Sequence, residues 1–300
     1  MDLNSFFLKN FNGKDYEKYM TTWLNGIIDE IDFWDDYFLT QGGVWKKGFK
    51  NATAYERAFS LESYLDEMEN VIFLDVGSGP LASCGSKTEK TNLEFHAVDP
   101  LAFAYKKIKR KYNIWTKIQP EFAMVEKLNE KYTENTFDIV HMRNALDHSF
   151  NPFMGLLQML YVCKINGKVI LIHRDDEAEF ENYGGFHQWN LKVEEDSFFI
   201  WRGNIKFNIA ELFDEYIDIK TVPAENREAL HEVIITKKKE IKFVEDPLLE
   251  IYHRKLFNKL LECLMDSFYT GKAQVRCEEK SKIYQCRKRI EEIQKNILKK

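Results

Sequence analysis

Residues 71–80, Val71-Ile72-Phe73-Leu74-Asp75-Val76-Gly77-Ser78-Gly79-Pro80, leave this chain few folds to choose from. Four consecutive apolar residues, an acid and a Gly-x-Gly turn read as a buried strand running into a tight, phosphate-loop-like bend and then a helix. Gly77 and Gly79 admit backbone angles closed to other residues and let a ligand approach the main chain. Pro80 is preset for a first helical turn. Asp75 is the anomaly: a carboxylate ending a buried strand is costly unless something donates to it, and a ligand amine or backbone N–H groups would serve. Further on, residues 93–98 form a second expected strand, ending in Asp99-Pro100. An acid placed after strand, Gly-rich turn and helix is positioned to accept from ribose hydroxyls. Gly77-x-Gly79-x-x-Ala82 also satisfies the dinucleotide fingerprint with Asp99 as its ribose acid. That fingerprint's strand, however, runs apolar into its first glycine, whereas this one carries Asp75 two positions earlier.

Around this unit the chain divides into three. Residues 1–70 read as a helical cap: Tyr19, Trp23, Ile27, Ile31 and Trp34 recur at three- and four-residue steps, and Gln41-Gly42-Gly43 ends the stripe. A second helix is expected over about 56–68. Trp23, Trp34 and Trp45 belong to the core on this reading, while Gly42, Gly43 and Lys46 at the break are within reach of a ligand. Residues 71–240 alternate apolar strands with helical stretches, the pattern of a parallel sheet wrapped by helices. Strands are expected at 71–76, 94–98, 116–119, 137–142, 168–173 and 197–202, with a closing pair at 217–222 and 233–236. A polar run with paired glycines at about 175–203 interrupts the pattern. Residues 241–300 form an expected helical extension whose basic, heptad-like end suits a hairpin lying on its own domain, self-association through a partner helix, or contact with an anionic membrane surface or nucleic acid.

Asp75-Val76-Gly77-Ser78-Gly79 followed by Asp99 resembles the class I S-adenosylmethionine-dependent methyltransferases. The resemblance implies an α/β, Rossmann-like, seven-stranded, mostly parallel sheet whose last two strands are an antiparallel pair. It also implies S-adenosylmethionine as cofactor and S-adenosylhomocysteine as product. Asp75, Gly77, Ser78 and Gly79 then meet the methionine end, and Asp99 and Pro100 the ribose. Where many of the family have an adenine-binding acid this chain has Met124, which passes that role to Glu126 or to backbone groups. Asn144-Ala145-Leu146-Asp147-His148 resembles the family's segment after the fourth strand, so Asn144 and Ala145 face the cofactor and the following residues the acceptor.

The residues ending these strands suggest the chemistry. His148 is the expected general base, with Asp147 orienting it or the acceptor; His187 is the second candidate and His173 the third. His173, Glu177, Glu179, Gln188 and Trp189 are of the types that hold a polyhydroxy acceptor, by hydrogen bonds and an aromatic face. The 177–190 pattern also resembles methyltransferases associated with bacterial surface glycans, which implies O-methylation of a sugar or sugar nucleotide. His148, His173, His187 and Glu177 have metal-binding side chains but no recognised ligand spacing, so no metal is expected. Two other readings fit the sequence: a non-catalytic methyltransferase-like scaffold, and an NAD-dependent oxidoreductase.

Composition narrows the partners. A net charge of −5 over 300 residues argues against a nucleic-acid surface. No apolar run is long enough to span a bilayer, and Met1-Asp2-Leu3-Asn4 lacks a signal peptide's basic region. Cys84, Cys163, Cys263, Cys277 and Cys286 include no CxxC pair and suit reduced thiols. A cytoplasmic location is expected.

Overall fold

The computed structural model describes residues 13–54, 62–65, 68–82, 84, 88, 91–223, 230–242 and 254. Helices α1 (Gly13–Leu39) and α2 (Lys46–Thr53) come first, joined through a 3-10 turn at Gly43–Trp45. Then follow β1 (Asn70–Val76), β2 (Asn92–Val98), α3 (Ala102–Lys111), a 3-10 segment at Val125–Glu130, β3 (Phe137–Arg143), α4 (Pro152–Val162) and β4 (Cys163–His173). The chain continues through α5 (Glu177–Phe180), β5 (Asn190–Glu194), β6 (Ser197–Arg202), β7 (Ile205–Asn208), α6 (Ile209–Phe213), β8 (Ile217–Val222) and β9 (His231–Lys237).

Among the described residues the central sheet has six strands in the order β2-β1-β3-β4-β9-β8, not the expected seven. Its first four strands are mutually parallel, and β9 runs antiparallel to both β4 and β8. The missing strand is 116–119, where the chain touches β2 through a single bridge, Val98 to Glu121. Local chemistry accounts for this: the Thr116 hydroxyl donates to Ile118 O and the Gln119 amide to Thr116 O, bonds that compete with a ladder. Pro120 then removes a donor.

Residues 197–202 do form a strand, but in a separate antiparallel sheet, β5-β6-β7. Two-residue turns close both of its hairpins. Each begins with a positive φ, at Glu195 and Gly203, as the strand twist of short hairpins requires. The helix expected straight after the Gly-x-Gly bend is absent among the described residues. Ala82 has φ 45°, which stops a right-handed helix.

Helix α1 follows its stripe: Tyr19, Trp23 and Ile27 are buried, and Ile31 and Trp34 pack at the edge of the same core. Trp45 is exposed instead of joining that core. Of the helix expected over 56–68, the described part is a 3-10 turn at Glu62–Tyr64. Helix α2 was not anticipated. The 241–300 extension and its self-association lie outside the described residues, apart from Ile241, Lys242 and Arg254. Under the sheet, α4 is buried at every position but Tyr161, as suits a helix apolar on all sides. Among the described residues no helix is long and apolar enough to cross a membrane.

Candidate active site

A cleft of about 370 Å³ opens at the carboxyl ends of β1 to β4, where ligands of open α/β sheets bind. One end is built on the Gly-x-Gly bend. Gly77 has φ 63°, and a Cβ there would lie 2.6 Å from the Ala145 Cβ, so any side chain would collide with the β3–α4 connection. The N–H groups of Gly77 and Ser78 donate to Val98 O, which pins the bend to β2. Asp99 is buried, its Oδ2 accepting from Gly79 N–H at 3.1 Å and its Oδ1 from Leu101 N–H at 2.7 Å. Burial pushes its pKa up to about 7 despite those two donors. Lys109, also buried, donates to Pro80 O and ties α3 to the far side of the bend. Ser78 Oγ turns onto Gly79 O, and Pro100 lines the same end.

Two acids expected to meet the cofactor have protein partners. β1 pairs with β3 in a register that sets Asp75 beside His141. Asp75 Oδ1 lies 2.8 Å from His141 Nδ1, and Oδ2 accepts from the Cys84 thiol at 3.3 Å. Burial and the neighbouring Asp75 hold the Cys84 pKa far above its ordinary value, so the thiol keeps its proton to donate. The donors that sequence reasoning assigned to a ligand amine or to backbone are therefore side chains, although Asp75 still borders the cleft. Glu126 is likewise buried and accepts from Asn151 N–H at 2.9 Å, at the N-terminus of α4, where a carboxylate is favoured. Burial raises its pKa to about 7. Asn144 (φ 45°) and Ala145 line the cleft between the two ends.

The other end gathers three imidazoles around one carboxylate. Asp147 is buried; its Oδ2 lies 2.8 Å from His187 Nδ1 and 3.4 Å from His148 Nε2, and its Oδ1 lies 3.9 Å from His173 Nδ1. Burial alone would raise the Asp147 pKa, but the three rings hold it far below the usual carboxylate range. Burial lowers His187, and the bond to Asp147 outweighs it, leaving the ring above its ordinary value. His173, 1% exposed, is pushed down to about 3 by burial. Sequence reasoning paired Asp147 with His148; the shorter contact is with His187, forty residues away and carried by the loop after α5. Glu177 borders this end beside Arg174, 3.4 Å away.

Three expected acceptor residues point elsewhere. Glu179 is exposed on α5, outside the cleft lining. Gln188 is buried with its amide donating to Gly185 O. Trp189 is wholly buried against Tyr19 and Phe153, so its aromatic face is core. Gly42, Gly43 and Lys46 do not line the cleft either. Helix α1 does both things: its stripe packs into the core, as expected, and the same Trp23 and Trp34 also wall the cleft. Trp34 sits against Gly79 and donates through Nε1 to Glu30, and both line the cleft at the Gly-x-Gly bend. Trp23 donates to His148 O and stacks on Phe186 at 4.9 Å.

No family model matches this sequence, and no curated protein does. Solved structures similar to it include the complex of the Haloferax volcanii Trm112 methyltransferase activator with a putative methyltransferase (13% identity, 72% of this chain and 99% of that one, TM-score 0.46). Another is the CurJ carbon methyltransferase, of which the match covers 49% against 57% of this chain (12% identity, TM-score 0.44). A third is a SAM-dependent methyltransferase from Aquifex aeolicus (15% identity, 58% and 86% covered, TM-score 0.38). At such identities and scores these likenesses carry no inference about activity.

Proposed function

We propose that this chain is an S-adenosylmethionine-dependent methyltransferase acting on a hydroxyl of a small polar acceptor such as a sugar or sugar nucleotide. The observation that carries the reading is that one cleft joins a glycine bend and a buried acid at one end to an Asp147–His187 pair at the other. The residues suit the cofactor. Gly77 leaves a cradle that a Cβ would fill, and each Asp99 oxygen keeps a lone pair beyond its backbone bond. Asp99 would hold the ribose hydroxyls, with Trp34 as the wall beside it. The reversal of β9 beside β4 also departs from the parallel six-stranded order of dinucleotide enzymes.

When bound, the sulfonium cofactor supplies an electrophilic methyl group for in-line displacement. The chain's own task is to position the acceptor, exclude water and take up the proton. Asp147 fixes the His187 ring through Nδ1, which leaves Nε2 to accept that proton. Phe186, packed on Trp23, covers this end from solvent. Glu177 and Arg174 are placed to bond acceptor hydroxyls. Calorimetry with S-adenosylhomocysteine and with NAD tests the reading, followed by transfer of labelled methyl across sugars, sugar phosphates and sugar nucleotides. Binding of S-adenosylhomocysteine alone supports it. Binding of NAD alone points to an oxidoreductase, and binding of neither to a scaffold.

A further inference from the structure

The atoms His187 Nδ1, His148 Nε2 and Asp147 Oδ2 converge on one point. Their separations are 2.8, 3.1 and 3.4 Å, and one ligating atom from each residue lies within 4.8 Å of the others. His187 Nδ1 has a single proton or a single lone pair to offer, yet two atoms stand at hydrogen-bond distance from it. Three donors bound to one tetrahedral ion at about 2.0–2.1 Å would stand roughly 3.3 Å apart, close to the spacing seen. A second, independent observation comes from β4. His173 is 1% exposed, neither ring nitrogen has a hydrogen-bond partner among the described residues, and Nδ1 faces the other Asp147 oxygen from 3.9 Å. A buried imidazole left so is costly unless a small adjustment completes it. Carboxylates that ligate metals are themselves hydrogen-bonded from behind, and His173 stands where that donor belongs.

We propose that Asp147, His148 and His187 form a binding site for a divalent transition-metal ion, with His173 supporting Asp147. Two imidazoles and one carboxylate select zinc, cobalt, nickel or ferrous iron over magnesium and calcium, which prefer all-oxygen sets. Asp147 is buried, whereas His148 and His187 retain 20% and 27% side-chain exposure toward the cleft, so a coordination position faces the acceptor. With His187 Nδ1 on the ion its Nε2 carries the ring proton, so in the loaded chain the ion, by binding an acceptor oxygen and easing loss of its proton, would replace His187 as the device that activates the acceptor. Metal binding stands without the methyl-transfer reading, and its test is separate.

The test titrates Co²⁺, whose visible bands report coordination, into the chelator-treated full-length chain, with calorimetric competition by Zn²⁺. The expected result is one equivalent bound and displaced by Zn²⁺, with affinity at least about 100-fold weaker in His148→Gln and in His187→Gln, beyond the usual cost of losing an outer-shell partner. Asp99→Asn leaves Co²⁺ binding unchanged while weakening S-adenosylhomocysteine, which separates this site from the cofactor site. Thermal melts identify variants that fold, and either His variant alone decides the matter. No Co²⁺ binding at millimolar concentration, or binding of equal strength in a folded His148→Gln or His187→Gln chain, overturns the proposal.

Discussion

Replacing Asp99 by Asn tests the nucleoside end most sharply, because the carboxylate has two measurable jobs. Its oxygens each accept one backbone N–H, from Gly79 and Leu101, and each retains a lone pair for a ribose hydroxyl. A hydrogen bond to a charged group contributes about 1.5–3 kcal/mol, so losing the charge weakens S-adenosylhomocysteine about 10- to 150-fold. A second signature is pH dependence. With the Asp99 pKa at about 7 in the free protein, the charged acceptor is lost as pH falls from 8 to 6. Affinity then drops toward about tenfold per pH unit below that pKa. The variant removes this slope.

The same raised pKa acts on stability with a definite sign. Between the ordinary value of 3.8 and about 7 the folded chain binds more protons than the unfolded one, so stability falls as pH rises through that window. Each such group contributes at most about 1.4 kcal/mol per pH unit. Asp99→Asn removes one contribution and leaves that of Glu126, whose pKa burial likewise raises to about 7. Isothermal calorimetry at pH 6, 7 and 8 and urea unfolding across pH 4–8 read both effects. Equal affinity of the two chains at pH 8, or the same affinity slope in both, would refute the reasoning.

Gly77→Ala forces a left-handed residue to carry a Cβ 2.6 Å from that of Ala145; it should lower stability by about 2–4 kcal/mol in urea unfolding and abolish S-adenosylhomocysteine binding. Gly26→Ala improves helix propensity, yet its Cβ would sit 2.6 Å from the Gly185 backbone, so the loop carrying His187 must shift. Turnover should fall while S-adenosylhomocysteine affinity holds, as a kcat-against-Kd comparison would show. His187→Gln should lower kcat by about 10²- to 10⁴-fold at unchanged cofactor affinity, the range of a lost general base. A His187→Gln chain with full turnover in a labelled-methyl assay would remove that role.

Strands with continuous apolar runs, such as Val169 to Ile172, were legible because burial on both faces leaves no other composition. Thr116–Gln119 was misread because periodicity cannot see a side chain bonding its own backbone. β5 and β7 were missed because short hairpin strands in a small sheet mix polar and apolar residues without a long pattern. At the cleft, Gly77, Gly79, Asp75 and Asp99 stand at the strand ends where their spacing put them, but the spacing did not reveal that His141 and Cys84 satisfy Asp75. Composition alone could not tell which way the 187–189 side chains point: His187 reaches the cleft while Gln188 and Trp189 are buried beside it. The link between Asp147 and His187 depends on a loop crossing, which no local pattern encodes.

Helix α1 touches both halves of the cleft. Trp34 and Glu30 flank the nucleoside end, and Trp23 and Gly26 meet the His148 and Phe186 side eleven and fewer residues earlier, a span of about 16 Å along one rod. On the proposed reading one rigid element meets both ligands, so replacing α1 should alter cofactor and acceptor preference together, and removing it should impair both.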